Sequence, residues 1–191
     1  MQAPITREAP PCTTPRSSEL ASFQTLSDSE LEKMLRYAEQ FLQAMKAGEN
    51  PRWVSFVGHA GTGKTFLANA LFEAARKIPK LRSSATLISP VKKFYWPRLL
   101  SRLRDQEYWL ISELADCNFL FLDELSLEHD PSGFAGDRLS ELLSVRCGKW
   151  TVLTSNLLLE AIGDIDKRIA SRMIRDGSVV VQVKTMEFAL R

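Results

Sequence analysis

The stretch Gly58-His59-Ala60-Gly61-Thr62-Gly63-Lys64-Thr65-Phe66 decides the fold. An apolar run, Trp53–Val57, leads into it, and Phe66, Leu67, Ala70 and Leu71 follow at helical spacing. Strand, glycine-rich loop and helix in that order form a phosphate-binding loop, GxxxxGK[ST], with an additional glycine at Gly61. Glycines let the backbone turn tightly around phosphate oxygens, and successive N–H groups at a helix N-terminus present positive potential to an anion. Lys64 is placed to reach the β- and γ-phosphates of a nucleoside triphosphate, and the Thr65 hydroxyl to ligate Mg²⁺. The candidate nucleotide-binding residues are Gly58, Gly61, Thr62, Gly63, Lys64, Thr65 and Phe66.

A second apolar run, Asn118–Leu122, ends in adjacent carboxylates, Asp123 and Glu124. In an open α/β sheet ligands sit beyond the carboxyl ends of the strands, so this strand end and the glycine loop converge on one nucleotide. Asp123 then holds Mg²⁺ together with Thr65, while Glu124 orients the hydrolytic water. A further strand ends Leu153-Thr154-Ser155-Asn156, where Asn156 can bridge that water and the γ-phosphate, although Thr-Ser-Asn is also ordinary turn chemistry. The segment 164–175 reads as one helix carrying Arg168, Arg172 and Arg175 on one side and Ile165, Ile169 and Met173 beside them. An arginine from such a face can stabilise charge on a neighbouring subunit's γ-phosphate.

From Pro51 onward short apolar strands alternate with longer amphipathic helices. Strands are predicted at 53–57, 85–88, 118–122, 150–153 and 178–183, and helices at 64–76, 97–105, 107–115, 137–146 and 164–175. Strands that are apolar throughout are buried on both faces, which predicts an α/β fold with a mostly parallel sheet of about five strands between helical layers. Ahead of this core, 27–48 reads as a helix opened by a capping box, Ser27 to Glu30, and closed at Gly48. Its apolar stripe, from Leu31 to Met45, suits either packing on the core or docking a protein partner. Residues 1–26, rich in Pro, Ser and Thr, read as a disordered tail. The expected divisions are thus tail 1–26, docking helix 27–48 and catalytic core 51–191.

Composition narrows the rest. The 191 residues are 45% apolar and carry a net charge of +2, enough for one sizeable core and too balanced for a histone-like polycation. No apolar run approaches a transmembrane length, and the first eleven residues lack a signal-peptide h-region, so the expected location is cytoplasmic. Three widely spaced cysteines without CxxC argue against a disulfide framework or a zinc site. Charge is segregated, however. From Arg76 to Arg104 no Asp or Glu interrupts the cations, and Phe94, Tyr95 and Trp96 lie among them. Cations beside stacking rings suit single-stranded DNA, with Lys92, Lys93, Tyr95, Arg98 and Arg102 as candidate contacts.

In this order the motifs resemble the AAA+ ATPases, and in texture the DnaC/DnaI-type helicase loaders and the IstB-type transposition ATPases, from about Pro51 to Val183. The resemblance implies a three-layer P-loop fold with Gly58–Thr65 as Walker A, Asp123 and Glu124 as Walker B, and Asn156 as sensor 1. It makes Arg172 the first choice for an arginine finger and Arg168 the second. It further implies ATP with Mg²⁺, self-association through ATP-bridged interfaces, single-stranded DNA, and a replicative helicase or transposase as partner. Only Lys184–Arg191 follow the last strand, too few for the C-terminal helical lid many AAA+ proteins carry, so turnover is expected to be slow without a partner or DNA. Two other readings belong beside the loader: a transposition helper on duplex DNA, and a small-molecule kinase, for which no substrate pocket or lid is legible.

Overall fold

A computed structural model describes residues 20–23, 25, 28–82, 90–127, 132–175 and 177–185. In chain order the elements are α1 (Ser29–Ala47), β1 (Trp53–Gly58), α2 (Lys64–Ala75), α3 (Pro79–Arg82), β2 (Val91–Tyr95), α4 (Trp96–Arg104) and α5 (Trp109–Asp116), then β3 (Phe119–Leu125), α6 (Phe134–Val145), β4 (Trp150–Ser155), α7 (Leu159–Ile165), α8 (Lys167–Met173) and β5 (Val179–Val183). The five strands form one sheet in the order β2-β3-β4-β1-β5, every pair parallel.

Alternation along each strand makes two cores. Val54, Phe56, Phe119, Phe121, Val152 and Val181 face α1 and α2, whereas Trp53, Val57, Leu120, Leu122 and Leu153 face α4, α5, α6 and α8. The result is the expected α/β arrangement of helices on both faces of a parallel sheet. Parallel strands put all their carboxyl ends on one edge, which is where the glycine loop and the acidic pair emerge.

Several boundaries differ from the sequence expectation for physical reasons. The strand expected at 85–88 lies outside the described residues, and the second strand is Val91-Lys92-Lys93-Phe94-Tyr95. Among the described residues it pairs with β3 alone, and an edge strand tolerates charge that a central one does not. The single helix expected over 164–175 is two. Asp166 is extended, with ψ 104°, and its side chain accepts the Arg168 N–H as the cap of α8. Ser27, the expected start of the capping box, lies outside the described residues; Asp28 caps α1, its carboxylate accepting the Glu30 and Leu31 N–H groups. Gly48 closes that helix in the left-handed region, with φ 83°.

The apolar stripe of α1 is consumed within the fold. Leu31, Met34, Leu35, Ala38, Phe41, Leu42 and Met45 are all buried in the core shared with α2 and the sheet, and Phe41 meets Trp150 edge to face at 5.6 Å. The apolar face therefore cannot dock a partner, which would have to meet the polar side of the helix. Structurally α1 belongs to the core. Phe41→Ala is expected to cost about 3–5 kcal/mol in urea unfolding, as truncation of a buried ring does. A loss under about 1 kcal/mol would mean that α1 is a separable appendage.

Candidate nucleotide site

Where β1 ends, the backbone turns sharply against β5. Gly58 has φ 130°, and a Cβ there would lie 1.8 Å from the Val183 carbonyl oxygen, so no side chain fits. The next residue ties the turn to the same carbonyl, His59 N–H donating to Val183 O at 3.1 Å. At Gly63, φ 86°, a Cβ would come within 2.6 Å of the Phe23 ring. The loop is thus wedged between β5 and the segment that precedes α1.

Lys64 begins α2 and is 5% exposed. Its ammonium donates to the His59 carbonyl and to Thr62 Oγ1, and burial pulls its pKa from 10.5 to about 8 against the opposing pull of Asp123 and Glu124. Thr65 Oγ1 donates to Asp123 Oδ1 at 2.9 Å, joining the ends of β1 and β3. The same carboxylate oxygen accepts from Thr154 Oγ1 at 2.6 Å, and Thr154 Oγ1 in turn accepts the Glu124 N–H at 2.8 Å. Glu124 is exposed and left-handed, with φ 58°. The Tyr95 hydroxyl, from the end of β2, donates to the Glu124 carboxylate, whose charge raises the tyrosine pKa.

The donor set suits a magnesium triphosphate. A hydroxyl and a carboxylate side by side are hard oxygen ligands, and a buried ammonium lies beside them among backbone N–H groups. Next to the loop a mostly apolar cavity of about 300 Å³ is lined by Ser22, Phe23, Leu31, Gly61, Thr62 and Phe66, among others, with the Phe23 and Phe66 rings 6.0 Å apart. Such a wall can receive a nucleobase. Leu20 and Phe23, within the stretch expected to be a tail, are both buried. The signal that could have found them is two apolar residues three apart just ahead of a helix cap. A larger cavity, about 610 Å³, borders Arg76, Lys77, Arg82 and Val91 and contains none of these groups.

The two arginine candidates separate clearly. Arg168 is held by Asp137 at 2.8 Å and Asp166 at 2.7 Å, which raise its pKa and neutralise it. Arg172 donates to Ser140 Oγ at 2.8 Å and to the Arg168 carbonyl, neither of them charged. It lines a cavity of about 170 Å³ together with Arg52, Arg175 and Trp53, with no carboxylate among the described lining residues. Trp53 opens β1 and Gly58 closes it, about 16 Å away at strand rise. Arg172 therefore lies toward the sheet edge opposite its own glycine loop. Asn156 is exposed one residue past β4, whose last residue, Ser155, donates to Leu125 O at 2.8 Å.

The basic zone is less free than its composition suggests. Lys92 is paired with Glu113 at 2.5 Å and is only 11% exposed, because it points into the gap between β2 and α5. Lys93 donates to Asn69 and stacks over Phe121, Tyr95 faces Glu124, and Trp96 is fully buried. Arg102 is paired with Glu107, and Arg98 is exposed. Tyr95 is nonetheless about as exposed as Tyr108, and Tyr108 and Trp109 are exposed too, with Arg138 and Arg102 over them, two rings the sequence reading had not singled out.

No protein-family model matches the sequence, and a search of curated proteins finds no significant match. Solved structures do match. A structure of the DnaC helicase loader superposes with a TM-score of 0.66 at 20% identity, covering 86% of this chain and 96% of that one. DnaI gives 0.64 at 22% identity, covering 88% of each chain. The replication initiator DnaA bound to AMPPCP and single-stranded DNA gives 0.63 at 15% identity, covering 87% of this chain and 50% of that one. At these identities the likeness is one of fold: the parallel five-stranded sheet between helical layers is an α/β arrangement shared with these replication proteins.

Because Lys64 must be charged to hold phosphate, affinity for a nucleoside triphosphate is expected to be flat below pH 8 and to fall above it. The fall should be up to about tenfold per pH unit until the bound amine itself deprotonates, with proton uptake on binding near pH 8. Calorimetry in buffers of different ionisation enthalpy measures both. Lys64→Ala should weaken binding at least about tenfold and remove the pH dependence. Affinity that stays constant from pH 7 to 9.5 in the unaltered chain would contradict the role given to Lys64.

Proposed function

We propose that this chain is an ATP-hydrolysing helicase loader, which binds Mg²⁺-ATP and single-stranded DNA, assembles with copies of itself and engages a replicative helicase in the cytoplasm. The observation that carries the reading is the 2.9 Å contact between Thr65 and Asp123, which unites the two sequence motifs in one site. The fold likeness to DnaC and DnaI, over most of both chains, supports the loader class.

Lys64 and the loop N–H groups would hold the phosphates, and Thr65 with Asp123 would hold Mg²⁺, which supplies charge stabilisation to the transferring phosphoryl group. Glu124, exposed beside them, orients the attacking water and accepts its proton, while Asn156 reaches toward the same water. Arg172 has no part in its own site on this reading. It serves the triphosphate of a second copy, a role that suits an arginine with no carboxylate partner among the described residues at the far sheet edge. Arg168, doubly neutralised, is the poorer candidate. For DNA, the exposed Tyr108 and Trp109 rings with the exposed Arg98 are better placed than Lys92 and Arg102, which are paired with Glu113 and Glu107. The helicase would meet the polar face of α1 or other surface. A transposition helper shares the ATPase core, and preference for duplex DNA without helicase binding would favour it.

Glu124→Gln should keep nucleotide affinity and slow turnover by about a hundredfold or more, and Arg172→Ala should do the same in assemblies. Mixing the two inactive variants should restore part of the turnover, because an intact site then meets an intact arginine. Absence of any recovery would count against action between subunits. Trp109→Ala should lower single-stranded DNA affinity by about 1–3 kcal/mol, read by anisotropy at fixed salt, and unchanged affinity would remove that ring from the DNA path.

A further inference from the structure

The register of β3 against β4 contains an irregularity at the acidic pair. Leu122 is opposite Leu153 and Leu125 is opposite Ser155, so two residues of β3, Asp123 and Glu124, face one residue of β4, Thr154. This is a β-bulge, and a bulge leaves ladder groups to be satisfied and re-aims side chains. Thr154 is 1% exposed, and its hydroxyl takes both tasks. It accepts the Glu124 N–H at 2.8 Å, the group the bulge leaves without its ladder partner, and donates to Asp123 Oδ1 at 2.6 Å. One hydroxyl has one donor and can accept as well, so the two bonds are compatible.

Without the bulge, successive residues of β3 would alternate across the sheet in extended conformation. With it, Glu124 adopts φ 58°, a strained conformation for a residue with a Cβ, and its side chain is exposed while Asp123 is buried against Thr65. Strain of this kind persists only where surrounding structure enforces it, and the group bonded to the strained backbone is the Thr154 hydroxyl. We propose that Thr154 is a positioning residue of the nucleotide site: by closing the bulge it separates the directions of Asp123 and Glu124, so that one carboxylate serves the metal and the other the water. The proposal rests on the reading of the site as an ATPase. It gives a role to a buried hydroxyl whose partners are the two acidic residues, and it distinguishes Thr154 from the exposed Asn156 two positions on.

The test uses the full chain with Thr154→Val, which keeps the shape and removes the hydroxyl, and Thr154→Ser, which keeps the hydroxyl. Lys64→Ala is the background control. In Thr154→Val, kcat for ATP should fall at least about tenfold while KM and the affinity for a fluorescent ATP analogue change less than about threefold. Hydrogen exchange of the Glu124 amide should accelerate, and Thr154→Ser should restore turnover and amide protection to within about threefold of the unaltered chain. Loss of kcat to the same extent in both variants would show that the hydroxyl alone does not account for the effect and overturn the proposal. So would a Thr154→Val chain with unchanged kcat and unchanged exchange at Glu124, where Lys64→Ala abolishes turnover. Turnover in the unaltered chain no higher than in Lys64→Ala would instead overturn the ATPase reading, and this role with it.

Discussion

A hydroxyl of the glycine loop and a carboxylate of another strand, bonded to each other at 2.9 Å, hold the site together. Thr65 follows β1 and Asp123 lies near the end of β3, and these strands are not neighbours, because β4 runs between them. The contact exists because every strand in the sheet is parallel and so every carboxyl end lies on one edge. It also makes β4 more than a spacer. Its Thr154 hydroxyl bridges to the same Asp123 oxygen, and its Ser155 hydroxyl secures the carbonyl of Leu125. Three strand ends are therefore locked in register at the place where small displacements would matter most for positioning charge.

Charge is distributed with the same economy. Lys64 is buried beside carboxylates that favour its ammonium, yet desolvation outweighs them, which leaves it receptive to an anion. Where cations have only structural work, their partners are fixed. Arg168 is pinned by two aspartates and Lys92 by Glu113. Arg146, fully buried, donates to the carbonyls of Leu114 at 3.1 Å and Trp150 at 2.5 Å and so fastens the end of α5 to the start of β4. Arg172, by contrast, donates to a hydroxyl and a carbonyl.

The wall beside the loop comes from the N-terminal side of the chain. Phe23 covers Gly63, Leu31 extends the apolar lining, and the first turn of α1 clasps the exit of β5. Glu30 accepts the Lys184 N–H at 2.7 Å and Asp28 accepts the Thr185 hydroxyl at 2.6 Å. The same Val183 carbonyl that forbids a side chain at Gly58 receives the His59 N–H. Loop, helix cap and strand exit are thus joined to one another around the end of β5.

Much of this was legible from local pattern. The glycine loop, the apolar strand ending in Asp123 and Glu124, and the alternation of strand and helix are dictated by neighbours within a few residues, where backbone freedom, helical period and burial on both faces leave their marks in the order of residue types. Phe23 against Gly63, the pairing of Lys92 with Glu113, the edge strand at 91–95 and the bulge opposite Thr154 carry no such mark. Each joins residues far apart along the chain, so its energy depends on which surfaces the fold brings together. The sequence by itself determined that a glycine-rich loop between strand and helix and an acidic strand end exist. Only the packed sheet decided how they meet, because a hydrogen bond is set by distance in space and not by separation along the chain.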